Sequence, residues 1–503
     1  MKPDRFAGLL ALVVLVAAAT FTAVPASEKQ PATVIVGARV VDGRGGAAFV
    51  GNIRIVGDRI AAVGNFEPEP GETVINAGGK VLAPGFIDIH NHSQEGLPRQ
   101  PLAENQIAQG ITTVVVGPDG GSVWPTSDYL AKLENSPPAL NVMTFVGHAT
   151  VRRRVMSEDW NRPARPDEIE KMAALVEQGM KDGAVGLSTG LEYDVGHQST
   201  TEEVIALARV AARYGGIYMS HIRDETSGVF DALREAVRIG REAGLPVQIS
   251  HIKMGVVGVW GKAAEAIAVV EEARRAGLDI TADCYPYEAW SSTLSVIVPN
   301  RRHDDPESVA TGLADVGGAG NILITRMQKH PEYEFKTMEE VARARGITPV
   351  ELYMEIVREG SAGVVGKSMI EEDIRAFYQQ PWVMVSSDGG VGARHPRGAG
   401  TFPKVLGRYV RQNQWLSLEE AIRRMSSFPA ARLGLNDRGV IAEGMKADLV
   451  LFDPERVIDR STYQEPGKLP EGMEKVFVNG ELVWDANQAT GARPGRVLRH
   501  VKP

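Results

Sequence analysis

Between Thr33 and Val81, short β-branched runs alternate with turn residues. Thr33-Val-Ile-Val36, Asn52-Ile-Arg-Ile-Val56 and Ile60-Ala-Ala-Val63 are separated by Gly, Asp and Asn, a pattern that predicts the short strands of a small β domain. The pattern returns near the other end, in Ala447-Asp-Leu-Val-Leu-Phe452 and in Lys475-Val-Phe-Val-Asn-Gly-Glu-Leu-Val483, where Asn479-Gly480 is a hairpin signal. Two ends of one character predict a single satellite β-sandwich built from residues 27–82 and 438–503.

Between these ends, strand and helix patterns alternate, which predicts parallel strands covered by helices. Glu202–Tyr214 carries an apolar stripe at Val204, Leu207, Ala208 and Ala211, and Gly215-Gly216 ends it before the strand Ile217–His221. Phe230–Ala243 repeats the plan, with Gly244 before Pro246–His251, and Ala263–Ala276 repeats it again, with Gly277 before Leu278–Asp283. Counting outward, Phe86–His92, Thr112–Gly117, Val142–Gly147 and Val185–Thr189 are expected as strands one to four and Trp382–Asp388 as strand eight. The expected fold is an α/β (β/α)8 TIM barrel over residues 83–437, with active groups at the C-terminal strand ends. The roughly one hundred residues between strands seven and eight exceed a plain crossover, so an insertion is expected at about 295–380.

A chain of 503 residues has room for such a barrel and a satellite. Its 43% hydrophobic and 23% charged residues are those of a globular enzyme. A formal charge of -8 argues against a nucleic-acid partner, which needs a basic surface. Residues 1–26 have the form of a secretory signal peptide: Lys2 and Arg5, an apolar run from Phe6 to Ala19, then small residues up to Val24-Pro-Ala26 before Ser27. The expectation is an exported, periplasmic or secreted protein without a membrane anchor after cleavage. Cys284 is the only cysteine, so an oxidising compartment offers no intramolecular disulfide.

Chemistry enters with Gly85-Phe-Ile-Asp-Ile-His90-Asn-His92, an apolar strand ending in two imidazoles one residue apart. Alternate residues of a strand point the same way, so this spacing suits two nitrogens on one ion. His221 and His251 end later strands, and Asp388 in Val385-Ser-Ser-Asp-Gly389 ends the eighth. Five such groups at one barrel mouth call for a metal. A mixed imidazole and carboxylate shell suits zinc, as one or two ions, with manganese, cobalt or nickel as alternatives.

The chain resembles the amidohydrolase superfamily and, within it, the D-aminoacylase or N-acyl-D-amino-acid deacylase family. The segments that carry the resemblance include Gly85–His92, Gly186-Leu-Ser-Thr-Gly-Leu-Glu-Tyr193, Ser220-His-Ile-Arg223, Ser250-His-Ile-Lys253, Asp283-Cys-Tyr-Pro-Tyr287 and His395-Pro-Arg-Gly-Ala-Gly-Thr-Phe-Pro403. The resemblance implies a hydrolase acting on linear amides of small N-acyl amino acids. It implies that His90, His92 and Asp388 hold one metal and that His221 and His251 belong to a second. A metal-activated water would attack the carbonyl, with Asp388 as general acid and base. The family's cysteine ligand after strand two is absent, for the equivalent stretch reads Gly117-Pro-Asp119-Gly-Gly-Ser122. Either Asp119 or Glu192 would replace it, and Glu192 is preferred as the bridging carboxylate. The resemblance assigns Lys253, Tyr285 and Ser291 to the substrate carboxylate; Arg223 and His395 are further candidates. His148 is expected to be structural. Dipeptidase, cyclic-amide hydrolase and broad N-acyl-amino-acid amidohydrolase activities, or a non-catalytic scaffold, are the competing expectations.

Overall fold

The computed structural model describes Met1 and residues 32–501; the expected signal peptide, beyond Met1, lies outside the described residues. The centre of the molecule is a ring of eight parallel strands. They are Phe86–Asp88, Ile111–Val116, a third in two pieces (Asn141–Thr144 and Val146–Gly147), Gly186–Gly190, Ile217–His221, Val247–Ile249, Ile280–Cys284 and Val383–Val385. Neighbours pair in parallel around the ring, and a parallel bridge between Asn91 and Gly389 joins strand one to strand eight. Asp88 reinforces that seam: its carboxylate accepts from the Ser387 backbone N–H at 2.9 Å and from Asn91 Nδ2 at 2.8 Å.

The apolar runs that predicted these strands are buried on both faces, as parallel sheets require. In strand two, Val114 and Val116 pack against the outer helices. Val115 points inward, where it meets Ile87, Ile89, Met143, Phe145, Met219 and Met384 and fills the barrel as a packed core. Each covering helix has its local reasons. Thr201–Arg213 begins where the Thr200 side chain accepts from the Glu203 N–H, and it buries the stripe read from the sequence. Gly215 takes φ 72° just beyond its end, a conformation cheap only for glycine.

The satellite is a nine-stranded sheet to which both ends of the chain contribute. The join is antiparallel pairing of Val81–Pro84 with Leu449–Phe452. Period-two alternation divides its faces: Leu82, Leu449, Leu451 and Phe477 pack with Ile35, Ile53 and Ile60 in the satellite's own core. Val81, Ala83, Val450, Phe452, Val476 and Val478 turn toward the barrel.

Between strands seven and eight stands an inserted unit with a three-stranded antiparallel sheet of Trp290–Thr293, Ile322–Arg326 and Gly363–Gly366. The helices Pro306–Asp315, Met338–Arg345 and Pro349–Arg358 cover a separate core that includes Leu294, Val309, Leu352, Tyr353 and Ile356. The expected limits, 295–380, need correcting at both ends. The unit begins with the Trp290 strand. The helix Glu371–Tyr378 belongs to the barrel, because Ile374, Phe377 and Tyr378 join the barrel core and Tyr378 Oη donates to the Cys284 carbonyl at 2.7 Å. Among the described residues no helix is long and apolar enough to cross a membrane.

Candidate metal centre and active site

Side chains converge at the C-terminal mouth of the barrel because the backbone turns sharply there. Asp119, His251 and Asp388 take φ of 54°, 33° and 47°, the left-handed region that costs a non-glycine residue about 1–3 kcal/mol. Tertiary bonds hold these turns in place. The Asp388 N–H donates to the His90 carbonyl at 3.0 Å, the His92 N–H to the Gly389 carbonyl at 2.6 Å, and the His251 N–H to Asp283 Oδ1 at 2.9 Å.

Asp119 Oδ2 lies 3.1 Å from His90 Nε2, 3.2 Å from His92 Nε2 and 3.7 Å from His251 Nε2. Asp388 Oδ1 lies 3.4 Å from His90 Nε2 and 3.1 Å from His92 Nε2, while its Oδ2 is 2.8 Å from Arg397 Nη1. His221 Nδ1 is 3.0 Å from His251 Nε2. Two ligand groups result, His90, His92, Asp119 and Asp388 on one side and Asp119, His221 and His251 on the other, each with ligand atoms within 4.8 Å of one another. Asp119 is common to both. Glu192 instead stands on the far side of His221, 2.7 Å from its Nε2, grouped with Glu225. The preference for Glu192 as the bridge is therefore reversed: the left-handed turn at Asp119 puts its carboxylate between the imidazoles, and Glu192 reaches only one of them.

These residues fit a divalent transition metal. The donors are nitrogen and oxygen atoms in the mixture that zinc accepts, and Asp119 Oδ1 is buried without a hydrogen-bond partner. Burial alone would raise the Asp388 carboxyl, but the Arg397 guanidinium and the imidazoles of His251 and His90 hold it well below the usual carboxylate range. Burial likewise disfavours charge on His90, yet Asp119 and Asp388 raise it well above an ordinary imidazole. The mouth thus concentrates opposite charges in a water-poor site, where they interact strongly.

The other expected residues divide. The Tyr285 hydroxyl is buried without a partner, and the Arg397 guanidinium lies over its ring, 4.7 Å from the centroid. Ser291 lines the same cavity. Lys253 lines it too, but its Nζ is 2.7 Å from both Glu225 carboxylate oxygens and 2.6 Å from His251 Nδ1, so its charge is already met from within the protein. Arg223 is corrected outright: Glu235 clamps it through two 2.8 Å bonds, and it donates to the His197 carbonyl. His395 is also corrected. Its Nε2 donates to the Ala289 carbonyl and its Nδ1 accepts from the Arg397 N–H, each at 3.0 Å, so it builds the loop that carries Arg397. His148 is buried against Glu203 at 2.9 Å.

Sequence reasoning missed Glu225 and Tyr193, whose hydroxyl is 3.3 Å from His221 Nδ1. Glu225 follows His221 by four residues in an acidic loop, a signal only in retrospect. For Arg397 the sequence leaves open whether it closes over the substrate or anchors a loop; its guanidinium meets Asp388.

A parallel barrel with imidazoles and carboxylates gathered at its C-terminal mouth is the architecture of a metal-dependent hydrolase. The model of the Amidohydrolase family matches residues 73–484, and the chain belongs to that family, in its D-aminoacylase branch. It is 36% identical to a D-aminoacylase of Alcaligenes xylosoxydans xylosoxydans, over 94% of this chain and 98% of that one. It is 36% identical to an N-acyl-D-glutamate deacylase of the same organism, over 93% and 96%. Among solved structures it is similar to N-acyl-D-glutamate deacylase from Bordetella bronchiseptica, complexed with zinc and a phosphonate mimic of the tetrahedral intermediate. The TM-score is 0.86 and the identity 34%, over 94% of this chain and all of that one.

Proposed function

We propose that the chain is a zinc-dependent deacylase that hydrolyses the amide bond of N-acyl-D-amino acids, and that Asp388 is its general acid and base. The observation that carries this reading is the position of Asp388, one carboxylate oxygen toward His90 and His92 and the other on Arg397. It is joined by relatives of that activity over nearly the whole chain. His90, His92, Asp119, His221, His251 and Asp388 are the proposed metal residues. Zinc held there supplies Lewis acidity toward the amide oxygen and makes a water acidic enough to react near neutral pH.

The protein's own part follows from its geometry. Asp388, kept ionised by Arg397, takes a proton from the attacking water as the C–O bond forms. It returns that proton to the amide nitrogen as the C–N bond breaks, leaving a carboxylate and a free amine. Tyr285, Arg397 and Ser291 are the proposed holders of the substrate carboxylate, since all three line the cavity beside Asp388 and the buried Tyr285 hydroxyl has no partner. His221, His251 and Asp388 line the same cavity, so a carboxylate held there lies beside the proposed metal residues. For the N-terminal segment we propose export with cleavage before Ser27, which the terminal sequence of the protein recovered outside the cytoplasm tests.

The deciding experiment measures metal content and hydrolysis of N-acetyl-D- and N-acetyl-L-methionine by the mature chain and by Asp388→Asn. Bound zinc, cleavage of the D substrate and a loss of at least about 10²-fold in kcat in the folded variant are expected. A variant that keeps its rate would remove Asp388 from its role.

A further inference from the structure

Glu192 follows the end of strand four and stands beside His221, which ends strand five. Gly190 pairs with His221 in the parallel ladder, and the Leu191 N–H donates to the His221 carbonyl at 3.1 Å. From the inserted unit, Arg301 donates to the Glu192 backbone carbonyl and pairs with Asp194 at 3.3 Å, so tertiary bonds hold the main chain around Glu192. Its side chain is only 12% exposed, and one carboxylate oxygen lies 2.7 Å from His221 Nε2.

A neutral imidazole carries one N–H and one lone pair, and a carboxylate only accepts, so the contact with Glu192 puts the His221 proton on Nε2. The lone pair is then on Nδ1, which faces the metal group, 3.0 Å from His251 Nε2. His251 is arranged in the opposite sense. Glu225 Oε1 stands 3.0 Å from its Nδ1, which leaves Nε2 turned toward Asp119 Oδ2 at 3.7 Å. The alternative is a cation on the outer side, among Glu192, His221 Nε2 and Glu225. That side offers a single imidazole, and both Glu225 oxygens are already taken by Lys253 Nζ at 2.7 Å.

From this geometry we propose that Glu192 is a positioning residue of the metal centre: it fixes the orientation and tautomer of the His221 ring, so that Nδ1 and not Nε2 is the ligand atom. The inference rests on the metal-dependent deacylase reading and adds to it a residue that acts through His221 and not on the substrate. The physical basis is twofold. Without an acceptor behind Nε2, the ring is free to turn or to carry its proton on the nitrogen that the metal needs. A carboxylate behind a ligating imidazole also makes the ring a better donor, and loss of such a partner weakens metal binding by about 10–100-fold.

The test measures zinc affinity by chelator competition, and the number of ions bound at saturation, for the wild type, Glu192→Gln and Glu192→Leu, and repeats the leucine substitution in a His221→Ala background. Glu192→Leu should weaken the ion at Asp119, His221 and His251 by about 10–100-fold with the saturating ion count unchanged, and Glu192→Gln, which keeps an acceptor oxygen, should lose only about two- to tenfold. With His221 gone, Glu192→Leu should change the affinity by less than about twofold, because the two residues act as one. Unchanged affinity in a folded Glu192→Leu, an equal loss with and without His221, or loss of one whole ion while the others bind as before overturns the inference and leaves the deacylase reading standing. If Glu192→Leu does not fold, Glu192→Gln decides, and wild-type affinity in that variant overturns the inference. A wild-type chain that binds no zinc would overturn the deacylase reading and the inference with it.

Discussion

Glu203 shows how a single buried charge shapes the barrel away from its chemistry. Its carboxylate takes His148 at 2.9 Å and Arg152 through two 2.6 Å bonds, all three side chains buried, and so fixes the helix after strand three against helix Thr201–Arg213. Burial would raise the Glu203 carboxyl, but His148 and Arg152 outweigh it and hold it below its ordinary 4.5. A depressed folded value means that the contribution to stability is complete above the unfolded value and is lost as pH falls through the folded one. Glu203→Gln leaves Arg152 buried and unpaired and should cost about 3 kcal/mol near neutrality. Urea unfolding at a series of pH values should show the gap between the two proteins narrowing as pH falls from 4.5 through the depressed folded value. A constant gap would place the stabilisation in packing instead. At this scale the sequence was readable where strand geometry speaks. His90, His92, His221, His251 and Asp388 could be placed at one mouth because each ends a strand pattern. The choice between Asp119 and Glu192 could not be read, because it depends on a left-handed turn at Asp119, and spacing does not encode which way such a turn aims a carboxylate. Nor could the Glu225 and Lys253 pairing be read, since two loops meet there only in the folded chain.

Among the elements, the barrel strands and their helices were legible from periodicity alone, since two-sided burial writes continuous apolar runs. The inserted unit was legible only as excess length. Its edges were misjudged because Glu371–Tyr378 has the same amphipathic pattern whichever core receives it. The unit's sheet reaches the active cavity through Trp290, whose Nε1 donates to Ser368 Oγ at 2.8 Å. Gly366 lies on the paired strand opposite, and a Cβ there would come within 2.2 Å of the Trp290 ring. Gly366→Ala should therefore push the indole into the cavity. The expected result is a kcat/KM lower by about tenfold, from an orientation lost by a fraction of an ångström, with the melting temperature little changed because the ring can swing. A fall in melting temperature with unchanged kinetics on the remaining folded enzyme would mean that the strand moves and the ring does not.

Across the whole molecule, the satellite and the barrel are tied by one buried carboxylate. Asp448 accepts from the Asn479 N–H at 2.7 Å in the hairpin turn and from Asn141 Nδ2 at 3.2 Å in strand three, and its other bond is to Arg438. Asn479 Nδ2 closes the contact on Asn141 Oδ1 at 2.8 Å. The same sheet sends Phe452, Val476, Val478 and Trp484 into the barrel core. A shared core and a shared polar joint imply one cooperative unit, in which neither part keeps its buried surface alone. Asp448→Ala leaves the buried Arg438 guanidinium with the Asp437 carboxylate, 3.2 Å from its Nε, as its remaining partner and should cost about 3 kcal/mol. Because the cost falls on the joint, calorimetry should show a single transition moved several degrees lower, with enthalpy still that of the entire chain. Two resolved transitions in the wild type, or a variant in which only a minor early transition shifts, would mean that the satellite unfolds by itself and that the barrel holds its mouth without it.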